Sequence, residues 1–417
     1  MFGIKTFFKN NIFYPKFLFP KENGKFPEKP VSKLRIEARL QGVLNKLKNQ
    51  KKYSGIGNLI TFPHREAVRA WHKLLPYNPN NLGNWSIKGL EPNQETATIE
   101  RELICQMVDL YHGDKKNLEG YVTSGGTEGN IFSAWVGRKF LEGKGIKKEK
   151  IYLIKTSLTH YSIEKAADIV GVKTFITSLN EGTWGMDVGD FEKSVKDLIK
   201  KGYKGFLVSL TLGYTVTGTL DPLEAICHEI SKLRKRHKGV EFFVWVDAAL
   251  NGLIEPFLND KFRPFTLSEI QTFLVDFHKF GFTPIPAGII LYRKELRQLI
   301  EKPIDYLNEK DNTLLGSRSG VAPVACWIII NYLGKLRFKS LILKKKKVMK
   351  TFIKKFSNEK NIKLVSYPNS LSLALVIKNK KLAHERLINK YGLHFIATKI
   401  KFENNTKDLL MAKVFFL

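Results

Sequence analysis

The sequence predicts an α/β fold: a large domain built on a mostly parallel sheet, with a smaller α/β domain at the C-terminal end. Three observations carry this expectation. Between residues 121 and 292, short strand-like segments alternate with amphipathic, helix-like ones. The strand-like segments, such as 206–210 and 242–246, are continuously apolar, the pattern of strands covered by helices on both faces. At 417 residues the chain is also too long for one ordinary core.

The elements follow in order. Residues 1–55 read as a basic N-terminal arm with Pro20, Pro27 and Pro30 and little periodicity before Leu34. Its aromatic residues are interrupted by Lys, Asn and Pro every few positions, so it is neither a signal-peptide core nor a membrane span. A packing arm for a partner subunit and a peripheral membrane contact both suit it. Residues 56–95 are rich in Asn, Gly and Pro and predict loop, with a short helix over 65–75. An amphipathic helix over 99–111 places Ile99, Leu103, Ile104 and Met107 on one face. Strands are then expected at 121–123, 151–154, 174–177, 206–210, 242–246, 272–275 and 288–292. Helices are expected from the turn after 123 through 140 and over 162–169, 191–200 and 222–234. After 327–333 a Lys-rich helical stretch leads to an apolar segment at 371–377 and a last strand near 411–416. The expected division is arm 1–55, large domain 56–330 and small domain 331–417.

Composition narrows the function. With 43% hydrophobic residues, global disorder is excluded. The 69 Lys and Arg against 39 Asp and Glu give a net charge of +30, which suits an anionic partner or a highly solvated surface. The lysines are spread along the chain, and the densest run, 344–347, has no interleaved aromatics to stack on bases, so no nucleic-acid partner is expected. The three cysteines, Cys105, Cys227 and Cys326, form no Cys-x-x-Cys. That argues for a reducing, cytoplasmic compartment and against a disulfide framework or a metal site.

Four segments carry chemistry. The first is Tyr-Val-Thr-Ser-Gly-Gly-Thr-Glu-Gly-Asn, 121–130. A strand feeds a Gly-Gly-Thr turn that opens a helix, where unpaired N–H groups and the helix dipole favour an anion. Gly125 and Gly126 allow close backbone approach, and the Thr127 hydroxyl can donate to a phosphate oxygen. The spacing matches neither G-x-G-x-x-G nor the Walker loop, which argues against a dinucleotide or nucleoside triphosphate. The second is Thr-His-Tyr-Ser, which sets His160 just past a strand, where such sheets bind ligands; a helix-capping histidine would look the same. The third is Val-Trp-Val-Asp-Ala-Ala, 244–249, in which Asp247 ends a buried strand and needs a cation or strong donor. A protonated pyridine nitrogen, a salt bridge or a helix cap each meet that need. The fourth is Val-Asp-Phe-His-Lys-Phe-Gly, 275–281, with Lys279 after another buried strand, where a partly desolvated amine can form an imine. His278 could add a donor to a phosphate. All four lie at strand C-termini.

In these segments the sequence resembles the group II pyridoxal-5′-phosphate (PLP)-dependent amino acid decarboxylases, over roughly 55–335. The resemblance also rests on Leu-Gly-Tyr-Thr-Val-Thr-Gly-Thr-Leu-Asp-Pro at 212–222, Tyr-Leu-Asn at 306–308 and Leu-Leu-Gly-Ser-Arg-Ser-Gly at 314–320. It implies PLP fold type I, the aspartate aminotransferase-like architecture, and the cofactor pyridoxal 5′-phosphate. By position, Lys279 would hold the cofactor, Asp247 would pair with its ring nitrogen, Ala249 would pack on the ring and His160 would stack on the other face. Gly125, Gly126, Thr127 and His278 would make the phosphate grip, with Thr215 near the polar substituents. Such enzymes are homodimers with shared sites, which implies Tyr306 on a loop as proton donor and Ser317 reaching the neighbour's site. Phe277 departs from the small residue or proline common there.

The resemblance implies decarboxylation of an L-amino acid to the amine and carbon dioxide, with substrate in the histidine, serine, tyrosine or aspartate class. The Gly-Asn after Thr-Glu is similar to histidine and serine decarboxylases; the 165–172 run is similar to archaeal-type tyrosine/aspartate decarboxylases. Past residue 340 the only arginine is Arg386, which favours carboxylate loss over transamination. Transamination or carbon–sulfur lysis is the alternative. Substrate contacts are expected from loops that the sequence does not place, such as those carrying His64, Asn81 and Asn84 in the 60–90 segment.

Overall fold

The computed structural model describes residues 30–52, 61–83, 95–305, 309–378, 393, 395–403 and 405–416. Helix α1 (Lys33–Lys52) precedes α2 (Arg65–Leu74), the short strand β1 (Asn80–Leu82) and α3 (Glu95–Leu110). The alternating region then runs β2 (Leu118–Thr123), α4 (Gly126–Gly143), β3 (Ile151–Thr156), α5 (Ser162–Val170), β4 (Lys173–Thr177) and α6 (Val188–Lys200). It continues through β5 (Gly205–Thr211), α7 (Leu223–Arg236), β6 (Glu241–Asp247), α8 (Glu255–Leu258), β7 (Ile270–Asp276), α9 (Phe277–Phe280) and β8 (Gly288–Arg293).

These eight-residue-or-shorter strands, β1 apart, form a seven-stranded sheet of order β2-β8-β7-β6-β5-β3-β4. Strands β3 to β7 pair in parallel, and β8 runs antiparallel to both of its neighbours, β7 and β2. Six strands therefore point one way and share one C-terminal rim. The double-sided burial expected from the sequence is what the side chains do. In β5 and β6, Phe206, Val208, Phe242, Val244 and Val246 enter the core that also holds residues of α3, α7 and the later helix at 321–356. Their neighbours Leu207, Phe243 and Trp245 point into the opposite core, under α4 and α5. This period-two split is why no polar face interrupts the strands.

The remainder comprises β9 (Lys302–Ile304), β10 (Glu309–Asp311), β11 (Ser317–Ser319), α10 (Val321–Phe356), β12 (Ile362–Ser366), β13 (Ser372–Ile377), β14 (Phe395–Lys401) and β15 (Thr406–Phe415). Strand β11 pairs antiparallel with β1, and β9 with β10. The last four strands form an antiparallel sheet, β12-β13-β15-β14. One of its faces packs Ala374, Val376 and Met411 on Leu158, Trp184 and Tyr214 of the larger sheet's loops. The other covers Met349 of α10 with Leu373, Leu375 and Val414. By length and composition α10 could cross a bilayer, but half of its apolar window is buried, with Ala325, Cys326 and Ile329 in the main core. Gly334 (φ 55°, ψ 177°) breaks it in two.

The short strands β1, β9, β10 and β11 and the one-turn helices α8 and α9 were not expected, and three longer elements also differ from expectation. The arm contains α1: good helix formers carry Ile36, Leu40, Val43 and Leu47 at helical spacing, all largely exposed. Strands β12 and β14 went unpredicted because they are the sheet's edges, half-buried and rich in lysine.

Candidate active site

The parallel strands end on one rim, and the four chemistry-bearing segments meet there. β2 delivers the chain into Ser124–Gly125–Gly126–Thr127. Gly125 has φ 146°, and a Cβ on it would lie 2.9 Å from His278 Cε1, so the turn needs glycine on both counts. The Ser124 N–H donates to Glu128 Oε2 at 2.7 Å, closing the turn. Gly125 offers no side-chain cap, and the first-turn N–H groups of Gly126 and Thr127 have no acceptor within the helix, so they face the rim as donors.

Asp247 closes β6. Its Oδ1 accepts from the Ala249 N–H at 3.1 Å and its Oδ2 from Asn130 Nδ2 at 2.8 Å. Both oxygens thus have one donor and retain lone pairs for another. Asn130 lies one helical turn beyond Gly126 on α4, accepts from Trp245 Nε1 at 3.0 Å and also donates to Ser162 Oγ at 2.9 Å. His160 follows β3; its Nδ1 is 2.8 Å from Ser162 Oγ. Burial pushes the His160 imidazole below its ordinary pKa, Lys279 and Lys165 add to this, and Asp247 and Asp276 oppose it.

Lys279 lies on the single turn α9. Its Nζ is 2.8 Å from Asp276 Oδ2, the last residue of β7, and His278 Nε2 is 3.6 Å from the same oxygen. His278 Nδ1 is 2.8 Å from the Ala287 carbonyl, which leaves Nε2 to face the rim. The other Asp276 oxygen, Oδ1, is buried without a partner, as is Thr211 Oγ1 in the wall. Tyr214 Oη donates to Asp221 Oδ1 at 2.6 Å, and that buried carboxylate also accepts from the N–H groups of Thr211 and Met186. Burial pushes Asp221 up to about 6.

These residues surround a cavity of about 270 Å³. Gly125, Gly126, Thr127, His160, Thr215, Asp247, Ala249, His278 and Lys279, all expected from the sequence, line it together. Ser317 does not: it sits on β11, exposed, with its Oγ accepting from Asn80 Nδ2 at 3.2 Å. His64 instead caps α2, accepting from the Glu66 N–H at 3.2 Å, and Asn81 is buried against Glu100. Tyr306, Asn84 and Arg386 lie outside the described residues. Sequence reasoning gave no role to Asn130, Asp276, Thr211 or Tyr214, which also line the cavity. Asn130 was within reach, because position i+4 from Gly126 shares its helix face.

A family model, the pyridoxal-dependent decarboxylase conserved domain, matches residues 99–378, two thirds of the chain and every residue of the cavity. The chain belongs to the pyridoxal-dependent decarboxylase family. Among its relatives, the histidine decarboxylase of Morganella morganii is 31% identical over 61% of this chain and 64% of its own length. The match thus spans under two thirds of that enzyme. The tryptophan decarboxylase of Clostridium sporogenes is 30% identical over 72% of this chain and 70% of its own. The L-aspartate/L-glutamate decarboxylase of Pyrococcus horikoshii is 30% identical over 81% and 83%. The crystal structure of L-methionine decarboxylase from Streptomyces sp. 590 superposes with a TM-score of 0.76 at 19% identity, covering 96% of this chain and 95% of that one, and shares the fold.

The cofactor of this pyridoxal-dependent family is pyridoxal 5′-phosphate, and the donor set of the cavity fits it. First-turn N–H groups with no helical acceptor suit a phosphate, a carboxylate with spare lone pairs suits a protonated ring nitrogen, and a lysine lies on the same wall.

Proposed function

We propose that this member of the family decarboxylates an L-amino acid, giving the amine and carbon dioxide. The observation that carries the reading is the convergence of Lys279, Asp247 and the Gly125–Thr127 turn on one cavity. In this reading Gly126, Thr127 and His278 hold the phosphate, Asp247 holds the ring nitrogen, and Ala249 and His160 wall the ring. Lys279 holds the cofactor covalently. When bound, pyridoxal 5′-phosphate supplies a sink for the electron pair left as the bond between Cα and the carboxylate breaks.

The chain's own residues set the conditions for that break. Asp247, fixed by Asn130 and the Ala249 N–H, keeps a negative charge at one end of the cavity. Before the cofactor is attached, Asp276 holds the Lys279 amine beside the phosphate turn, which places Nζ for attachment. Leu250, buried in the cavity wall, helps exclude water and raises the worth of each charge. We assign the proton returned to Cα to Tyr306.

A homodimer suits the exposed apolar side chains of α1, and we assign Ser317, exposed on β11, to the neighbour's site. The free state of Cys227 and Cys326 suits a reducing, cytoplasmic setting. Substrate class is tested with a panel of His, Ser, Tyr, Trp, Asp, Glu and Met, following carbon dioxide, amine and keto acid together. Amine and carbon dioxide in equal amounts support the reading; keto acid without carbon dioxide rejects it in favour of transamination.

A further inference from the structure

The buried polar groups between Trp245 and His160 admit one arrangement of protons. At one end stands the Trp245 indole N–H, which can only donate; it points at Asn130 Oδ1 at 3.0 Å. That fixes the amide, so Nδ2 must face Asp247 Oδ2 at 2.8 Å and Ser162 Oγ at 2.9 Å, spending one hydrogen on each. Ser162 Oγ, already accepting, has its own hydrogen left, and His160 Nδ1 is 2.8 Å away. At the other end the Ser162 backbone N–H, an orphan donor of the first turn of α5, also points at Nδ1, at 3.3 Å. A backbone N–H cannot accept, so Nδ1 must. Asn130, Ser162 and Trp245 are all fully buried, so no water competes for these bonds.

We propose that Asn130 and Ser162 are positioning residues that fix His160 as the neutral tautomer with its proton on Nε2, and that the same Asn130 amide holds Asp247 in place. This deepens the functional reading, on which its catalytic meaning rests, although the tautomer itself follows from hydrogen bonding alone. A ring held this way presents one N–H donor and no charge. Protonation would put the ring's second hydrogen on Nδ1, against two donors already aimed there. The charged groups facing the ring come from four elements: Asp247 on β6, Asp276 on β7, Lys279 on α9 and Lys165 on α5. The Tyr161 ring also lies against it, with centroids 4.4 Å apart. The two carboxylates favour the cation and the two lysines oppose it; burial favours the neutral ring, and the donors at Nδ1 act in the same direction.

The test labels the protein with ¹⁵N-histidine and records two-bond ¹H–¹⁵N spectra over a pH series, with and without pyridoxal 5′-phosphate; His160→Gln identifies the resonance among the nine histidines. Wild type should show the Nε2–H form at neutral pH. In Ser162→Ala the protonation midpoint of His160 should rise by roughly half to one unit, since one hydrogen bond to the neutral form is gone. The acid limb of the carbon dioxide release profile should move the same way, and Ser162→Thr should restore both. An Nδ1–H ring in wild type, or an alanine variant that titrates where wild type does, overturns the proposal. Inactivity of wild type on every amino acid with the Nε2–H form intact would reject the decarboxylase reading and leave this one standing.

Discussion

The Lys279 ammonium lies 2.8 Å from Asp276 Oδ2, an ion pair between the last residue of β7 and the turn that follows it. It holds the amine against the glycine turn, because a Cβ on Gly126 would lie 3.3 Å from both oxygens of Asp276. Lys279→Ala should abolish carbon dioxide release and the visible absorbance of lysine-bound cofactor, with secondary structure kept. Retained turnover would remove Lys279 from the mechanism.

Asp247→Asn should cost both activity and a hydrogen bond. Asn130 cannot turn its amide, since Trp245 holds its oxygen, so one end of the new amide must meet a donor with a donor. With the negative charge also gone, the rate should fall by about two orders of magnitude or more. Circular dichroism and steady-state kinetics check this; a near-normal kcat would make Asp247 structural.

Tyr214→Phe should destabilise the protein more at pH 8 than at pH 5. Burial raises Asp221 from 3.8 to about 6, so its stabilising contribution is complete below 3.8 and is lost as pH rises through 6. Above 6 the buried carboxylate is ionised and leans on the tyrosine hydroxyl 2.6 Å away. Losing a hydrogen bond to a charged group costs about 2 kcal/mol, against about 1 kcal/mol for a neutral one. Urea unfolding at the two pH values measures the difference; equal losses would mean Asp221 does not ionise in that range.

Arg318→Ala should be among the most damaging single changes away from the cavity. The guanidinium donates to both oxygens of Glu100, at 2.6 and 3.3 Å, and to the carbonyls of Val122 and Gly83, and both charged side chains are buried. Removing one partner strands the other charge, a cost of about 3–5 kcal/mol. The double variant Arg318→Met/Glu100→Gln should recover part of it in denaturant titrations.

Gly218→Ala should loosen the cofactor from outside the cavity. Gly218 has φ 69°, and a Cβ there would lie 2.5 Å from Ser370 Oγ and from the carbonyl and hydroxyl of Ser372. The clash and the left-handed backbone together cost about 1–3 kcal/mol. Relief would push the 213–219 loop, which carries Thr215, off the C-terminal sheet. A lower Tm with weaker pyridoxal 5′-phosphate binding is the expected pair of results.

Much of this was legible in the sequence. Strands such as β6 announce themselves because Phe242, Val244 and Val246 serve one core and Phe243 and Trp245 the other. Asp247, Lys279 and the glycine turn each have an ordinary structural reading; they were legible because they recur together, with His160, at successive strand C-termini. What supports them was not. The Trp245–Asn130 bond joins residues 115 positions apart and leaves no local pattern, and the Tyr214–Asp221 bond, within the 212–222 segment, depends on a loop geometry that sequence alone does not give. Helix α1 was missed because a charged helix without a buried partner face gives a weak signal.

The reversed strand β8 fixes a dimension. Because it lies between β2 and β7, the strand ends that feed the glycine turn and the lysine, Thr123 and Asp276, stand two strand spacings apart, about 9.6 Å. Hydrogen-bonded backbone sets that interval, and Gly288, where a methyl group would lie 2.6 Å from Thr123 Oγ1, keeps the seam closed. If the glycine turn and Lys279 hold the cofactor as proposed, surrounding loops can be reshaped to admit a different amino acid while the two strand ends keep their separation.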